Sequence, residues 1–515
     1  EEPVYRYASP VSATTGSATD TQTNAKVVDG KIYVNNGFWD TYRATWPAYA
    51  LFSPARAGEL VDGFVQHYKE GGWIARWSSP GYADLMTGTS SDVAFADVYV
   101  KGVRGFDAAA AYDAAVKNAT VRPNLSGVGR KGIESSTFLG YTSTSLGYGL
   151  SWAMAGYLND FGLSNMASAL AANPSDPRHQ EYVENAEYFR ERALGYVNLF
   201  DPAVQFFQGR SAQGVFSKSP AAYDPRVWGY DYTETNGWNT AFDAPFDGEG
   251  LANLYGGRAR LGEKLDQFFA TPETASLGGS YGGVIHEMVE ARDVRMGQLG
   301  MSNQPSFHIP YMYNHAGQPS KTQEKVRDAL ARLWIGSDIG QGYLGDEDNG
   351  ATSAWQLFSA LGIYPLRVGS AEYTIGSPLF TRAVVHLENG NDLIINAPNN
   401  SPKNIYVRAL RINGQAHTKT SVPHALLTAG ATLDFDMSPT PTTWGTGADD
   451  APTSLTPPGL IPRPLSDTAV GSEASTSDGT SPNALFDNTS TTSAKFTAEN
   501  PVLDYHYATE PRKVT

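Results

Sequence analysis

Apolar residues recur at helical spacing through most of the first two-thirds of the chain. Segments 57–68, 92–100, 106–116, 147–170, 177–199, 249–255, 259–269, 322–334 and 352–361 each gather apolar side chains on one face and predict helices. Shorter candidates lie at 39–52, 288–299 and 308–314. After Pro365 the period changes. Segments 373–375, 383–387, 392–396, 405–412, 424–427 and 432–437 alternate or run apolar between Asn, Gly and Pro turns, and predict strands. About a dozen helices joined by long Gly-, Pro- and aromatic-rich loops predict a mainly α fold. Its expected form is an (α/α)6 toroid of paired helices with an accessory C-terminal β-layer, and with function on the loops at one mouth.

The expected division is a polar leader or linker at 1–30, the helical domain at 31–365, and the strand region at 366–440. A Pro/Ser/Thr-rich linker follows at 441–471, then a new unit at 472–515. The 515 residues suffice for two or three such units and a large core. A formal net charge of −15 argues against nucleic acid, whose phosphates need a basic surface. No run of about 18 apolar residues predicts a membrane span. The absence of cysteine removes disulfides, thiolate nucleophiles and zinc–thiolate sites together. With little lysine and much Ser, Thr and Gly, it fits a secreted or cell-surface protein of bacterial type. The 10 Trp, 28 Tyr and 22 Phe suit a cleft in which sugar rings stack.

The densest chemical signal is Gly345-Asp346-Glu347-Asp348-Asn349-Gly350, which runs into the helical pattern at Ala351. Three adjacent carboxylates raise one another's pKa unless a cation or donors compensate, so the loop predicts a metal ion or proton transfer. The competing reading is a solvated acidic turn. A helix-loop-helix calcium site needs ligands at alternate positions followed by a distant Glu, and does not match. Four further clusters stand apart: Gly37-Phe38-Trp39-Asp40 with Trp46; Gly72-Trp73-Ile74-Ala75-Arg76-Trp77 followed by Asp92; Glu234-Thr235-Asn236-Gly237-Trp238; and His286-Glu287 with Glu290, continuing to Ser302-Asn303-Gln304-Pro305. Position 290 is Glu, so the zinc-protease spacing of two histidines fails there.

In this order and spacing the five motifs resemble the catalytic domain of glycoside hydrolase family 92 over roughly residues 30–450. That family consists of calcium-dependent, inverting exo-α-mannosidases. The resemblance implies Glu234 as general acid and Asp346 and Asp348 as the base, with Asp348 the main one. It implies Ca2+ as cofactor, with Glu290 and Asn303 plus backbone carbonyls as ligands. Trp39, Trp73 and Trp77 become stacking candidates, and Asp40, Arg76 and Asp92 hydroxyl contacts. His286 and Glu287 would meet a second, α-1,2-linked sugar, and Asn303 and Gln304 line the site. Mannose-containing glycan termini, from N-glycans or mannans, are the implied partners.

Two departures bear on this. Ser302-Asn303-Gln304-Pro305 stands where many members have Gly-Asn-Glu-Pro. The N-terminal β-sandwich usual in the family is also expected to lie outside this chain and to pack against it. Members cleaving mannosyl phosphates carry an amide at the acid position; Glu234 favours a sugar leaving group over that alternative. A calcium-dependent mannose-binding module without catalysis is the other alternative. The last unit resembles the truncated opening of a discoidin-like sugar-binding β-sandwich.

Overall fold

The computed structural model describes residues 5–334, 345–467, 469 and 472–506. The tail of the expected terminal unit, 507–515, lies outside the described residues. The principal helices are α1 (Thr45–Phe52), α2 (Pro54–Gly71), α3 (Ser91–Val100), α4 (Ala108–Thr120), α5 (Gly149–Leu170), α6 (His179–Arg192), α7 (Gly248–Tyr255), α8 (Arg258–Ala270), α9 (His286–Val294), α10 (Pro319–Leu333) and α11 (Ala351–Leu361).

Successive helices pack as neighbours: α1 on α2 and α3, α3 on α5, α5 on α6, and α7 on α8. From α8 the packing runs through a short 3-10 helix, Ile309–Asn314, to α10 and α11, and α11 closes back on α1. The fold is mainly helical with a C-terminal sheet region, as the periodicity predicts. Helix α5 is apolar nearly all round and buried along most of its length, which suits its place between α3 and α6. Helices α2 and α10 each start at a proline, whose fixed φ and missing N–H suit the first turn.

The sheet comprises β1 (Arg382–His386), β2 (Asp392–Asn396), β3 (Tyr406–Ile412), β4 (Gln415–His417) and β5 (Thr432–Ser438), in spatial order β1-β2-β5-β3-β4. Strand β3 packs on α10, where Gln323 Oε1 accepts from Val407 N at 2.9 Å. The expected strand at 424–427 is instead a short helix, His424–Thr428. Its apolar run is too short for periodicity to separate the two, and Pro423 sits at the cap position, where the chain enters the helix from an extended strand.

One buried ion pair ties α3 to the start of the sheet region. Lys101 Nζ meets Asp97 Oδ2 at 2.6 Å with both side chains fully buried, and Asp97 Oδ1 accepts from Gly369 N at 2.9 Å. Removing one member strands the other charge without water. Asp97→Ala is therefore expected to lower unfolding stability by about 3–5 kcal/mol, read from urea denaturation. A change below about 1 kcal/mol would show that water reaches Lys101.

Candidate active site

Five separated segments converge on one acidic cleft. The first is held by a small sheet in which Gly37 pairs with Trp77. Asp40, one turn into the following short helix, is buried and accepts from Trp77 Nε1 at 3.0 Å through Oδ2. Its carboxylate does not cap that helix. A Cβ on residue 37 would overlap both Asp40 Oδ2 and Trp77 Nε1, so glycine is required there. Burial, then the nearby charge of Asp348, push the Asp40 carboxyl up to about 7; the Trp77 bond opposes them and the Glu234 charge adds to them.

Glu234 lies on the loop before a short helix that Asn236 caps by accepting from Trp238 N and Asn239 N. Its backbone is left-handed, φ +50°, a conformation uncommon in non-glycine residues. Tyr281 Oη accepts from the Glu234 backbone N at 2.7 Å and holds that turn. Asn303 Nδ2 donates to Glu234 Oε2 at 3.2 Å. Burial first, then the charge of Glu287, push the Glu234 carboxyl up to about 7; Asn303 opposes this and Asp348 adds to it.

The acidic loop splits its carboxylates between two tasks. Glu347 turns back as a cap for α11, accepting from Gly350 N at 2.7 Å and from Ser353 N at 3.1 Å. Asp348 sits on left-handed backbone, φ +55°, and accepts from Gln304 Nε2 at 2.5 Å. Burial is the main reason its pKa is raised; Gln304 opposes the shift, and Asp346, Glu347 and Glu290 add to it. The consecutive amides Asn303 and Gln304 thus hold Glu234 and Asp348, one each. Among the described residues no hydrogen bond joins the two carboxylates directly. Asp40, Trp77, Leu85, Met86, Asp346, Glu347, Asp348 and Asn349 line a cavity of about 420 Å³, within the range of small-molecule sites. A larger concavity, about 810 Å³, lies elsewhere, against α5 and α6, and contains none of the candidate catalytic carboxylates.

Helix α9 supplies the fourth group. Its exposed His286 approaches Glu287 Oε1 and Glu290 Oε1, each at 3.1 Å. Burial works against the His286 cation, but the Glu290 hydrogen bond and the charges of Glu287 and Glu290 outweigh it and raise its pKa. Glu287 Oε2, Glu290 Oε2, Ser302 Oγ and Gln304 Oε1 are buried with no hydrogen-bond partner among the described residues. A Cβ on Gly345 would fall 2.5 Å from Ser302 Cβ and 2.8 Å from Glu290 Oε2, so the acidic loop begins against both.

Other expected site residues take different places. Asp92 is fully buried: Oδ2 accepts from Thr89 Oγ1 at 2.6 Å and Oδ1 from Asn118 Nδ2 at 2.8 Å, with Arg130 Nη2 at 3.5 Å. Both its oxygens are committed, which makes it a scaffold group rather than a sugar contact. Burial pushes its carboxyl up to about 6, against the Arg130 charge. Trp73 is also scaffold: its Nε1 bonds Asn124 at 2.9 Å and Lys117 stands 4.4 Å from the ring centroid. Arg76 is buried over the Trp152 ring, pairs with Asp84, and leaves Nε and Nη1 without partners among the described residues. Trp39 lines a small neighbouring recess with Arg43 and Thr233. Asn303 was expected on a metal; its Oδ1 accepts from Gln304 N at 3.0 Å while its nitrogen serves Glu234, so the amide is used in positioning the carboxylate. The motifs passed over Tyr281, Leu85 and Met86. The left-handed Met86, φ +55°, carries no sequence signal.

The model of the glycosyl hydrolase family 92 catalytic domain matches residues 5–439. The chain belongs to that family. Among solved structures, this family 92 chain is similar to an inverting mannosidase of the family from Bacteroides thetaiotaomicron, at 33% identity and TM-score 0.75, covering 87% of this chain and 58% of that one. A family 92 alpha-mannosidase from the same species, in complex with mannoimidazole, is similar at 25% identity and TM-score 0.76, covering 85% and 56%. An uncharacterized secreted glycosidase of Arthroderma benhamiae is 25% identical over 411 residues, 75% of this chain and 50% of that protein. The chain spans about half the length of that curated relative. No helix among the described residues is long and apolar enough to cross a membrane.

Proposed function

We propose that this chain carries the catalytic centre of a secreted, exo-acting, inverting α-mannosidase that removes terminal mannose from N-glycans or mannans, with α-1,2 linkages preferred. The observation that carries the reading is the amide pair: Asn303 and Gln304, consecutive in the chain, each hold one of two partly buried carboxylates of raised pKa. Inversion needs such a pair, one carboxyl protonated and one ionised, separated by room for a water. Glu234 gives its proton to the glycosidic oxygen as the bond from that oxygen to C1 breaks. Asp348 takes a proton from the water whose oxygen bonds C1 from the opposite face, and Asp346 helps orient that water. Asp40 and Trp77 bind the terminal ring. His286 and Glu287 contact the second sugar, which favours the α-1,2 linkage.

The residues present fit calcium. Glu290, Glu287, Ser302 and Gln304 offer oxygen atoms that are buried and unpartnered among the described residues, the hard donors that this ion takes. Among the described residues no cluster of three or more His, Asp or Glu forms a metal site by itself, so amide, hydroxyl and backbone oxygens would complete the set. Bound there, the ion would offset the crowded carboxylates and accept sugar hydroxyl oxygens.

Proton NMR of α-1,2-mannobiose hydrolysis tests the reading. β-Mannose is expected to appear first, with activity lost in EGTA, restored by calcium, and with far-UV circular dichroism unchanged throughout. Initial release of the α-anomer would overturn inversion. Full activity in EGTA would overturn the metal requirement.

A further inference from the structure

We propose that Tyr230 and Lys218 form an outer subsite for the third sugar of the substrate chain, on the leaving-group side; this rests on the exo-mannosidase reading above. Glu234 and Tyr230 share one loop, closed by the Trp228–Asn236 bridge and by Gly229 N donating to Thr235 O at 3.1 Å. An acid that protonates the glycosidic oxygen stands beside the leaving sugar. The leaving sugar, and the chain attached to it, therefore starts beside the loop that carries the acid.

On that loop Trp228 and Tyr232 are buried, whereas Tyr230 is 52% exposed. Single exposed aromatics are ordinary. This one is held in place. Its backbone is left-handed at φ +59°, its N donates to Ser280 Oγ at 2.6 Å, and a Cβ on Gly279 would come within 3.1 Å of its Cε2. The next residue, Tyr281, braces the Glu234 backbone, so one short segment fixes both the acid and the exposed ring. A ring already immobilised loses little conformational freedom on binding. Its face suits the C–H face of a pyranose. Lys218 Nζ stands over the ring, 5.1 Å from its centroid; a sugar stacking on that face would take its place and meet the displaced ammonium as a donor to its hydroxyls.

The test compares kcat/KM on α-1,2-mannotriose and α-1,2-mannobiose with the full chain. The wild type should favour the triose. In Tyr230→Ala the triose-to-biose ratio should fall about 5–10-fold, mainly through KM, a size typical of one lost stacking contact. Tyr230→Phe should keep the ratio, and Lys218→Ala should lower it by a smaller factor. Equal melting temperatures would tie any change to binding rather than to folding. A wild type without preference, or an unchanged ratio in Tyr230→Ala, overturns the subsite while leaving the mannosidase reading intact. A wild type that cleaves neither sugar removes that reading, and the subsite with it.

Discussion

Glu234→Gln is expected to lower kcat on mannosides with sugar leaving groups by about 10²–10⁴-fold, the usual worth of a positioned acid. That corresponds to roughly 3–5 kcal/mol of barrier. The amide keeps the shape and still reaches Asn303, but it has no proton to give. The sign of the pH dependence follows from burial and the Glu287 charge, which place the Glu234 pKa at about 7. The acid works while protonated, so the wild-type rate should fall as pH rises through that value. The variant should lose this alkaline limb. On a dinitrophenyl mannoside, whose leaving group departs without a proton, the deficit should nearly vanish. Equal loss on both substrates would assign Glu234 to binding instead of acid catalysis.

The helices and the sheet were legible because each buries one face or one alternating set, and that period is written in the chain. The acidic loop was legible for a different reason: three adjacent carboxylates raise one another's pKa unless something compensates, which sets the segment apart from its neighbours. Within it, Glu347 reads from the sequence only as the middle residue of a turn that points away from the site; that its carboxylate turns back onto Gly350 N and Ser353 Oγ is visible only in the fold. What the chain does not display is which face a polar side chain turns to. Asp92 and Trp73 belong to motifs next to the cleft, yet their partners, Asn118 and Asn124, come from the following helix and loop and draw both side chains into the scaffold. Asn303 and Gln304 were recognisable as site residues. Their separate grips on Glu234 and Asp348 depend on contacts across 69 and 44 positions of chain, which no local pattern encodes.

Asp348→Asn is the second large effect, again about 10²–10⁴-fold in kcat, because a neutral amide cannot take the proton of the attacking water. Here the sign is opposite. The base works while ionised, so the rate should rise with pH through the Asp348 pKa, which burial and the charges of Asp346, Glu347 and Glu290 raise and Gln304 restrains. Together with the Glu234 limb this gives a bell-shaped profile, and Asp348→Asn should erase its acidic side. Azide needs no base to deprotonate it. Added azide should therefore rescue the variant, forming the C1–N bond from the water's side and giving β-mannosyl azide, while Glu234 still protonates the departing oxygen. The same anion should do nothing for Glu234→Gln on a sugar leaving group, whose missing proton azide cannot supply. Asp346→Asn should lose less, since Asp348 keeps its Gln304 bond and its place in the cavity. A larger loss in Asp346→Asn, with azide rescue there and none in Asp348→Asn, would exchange the two roles.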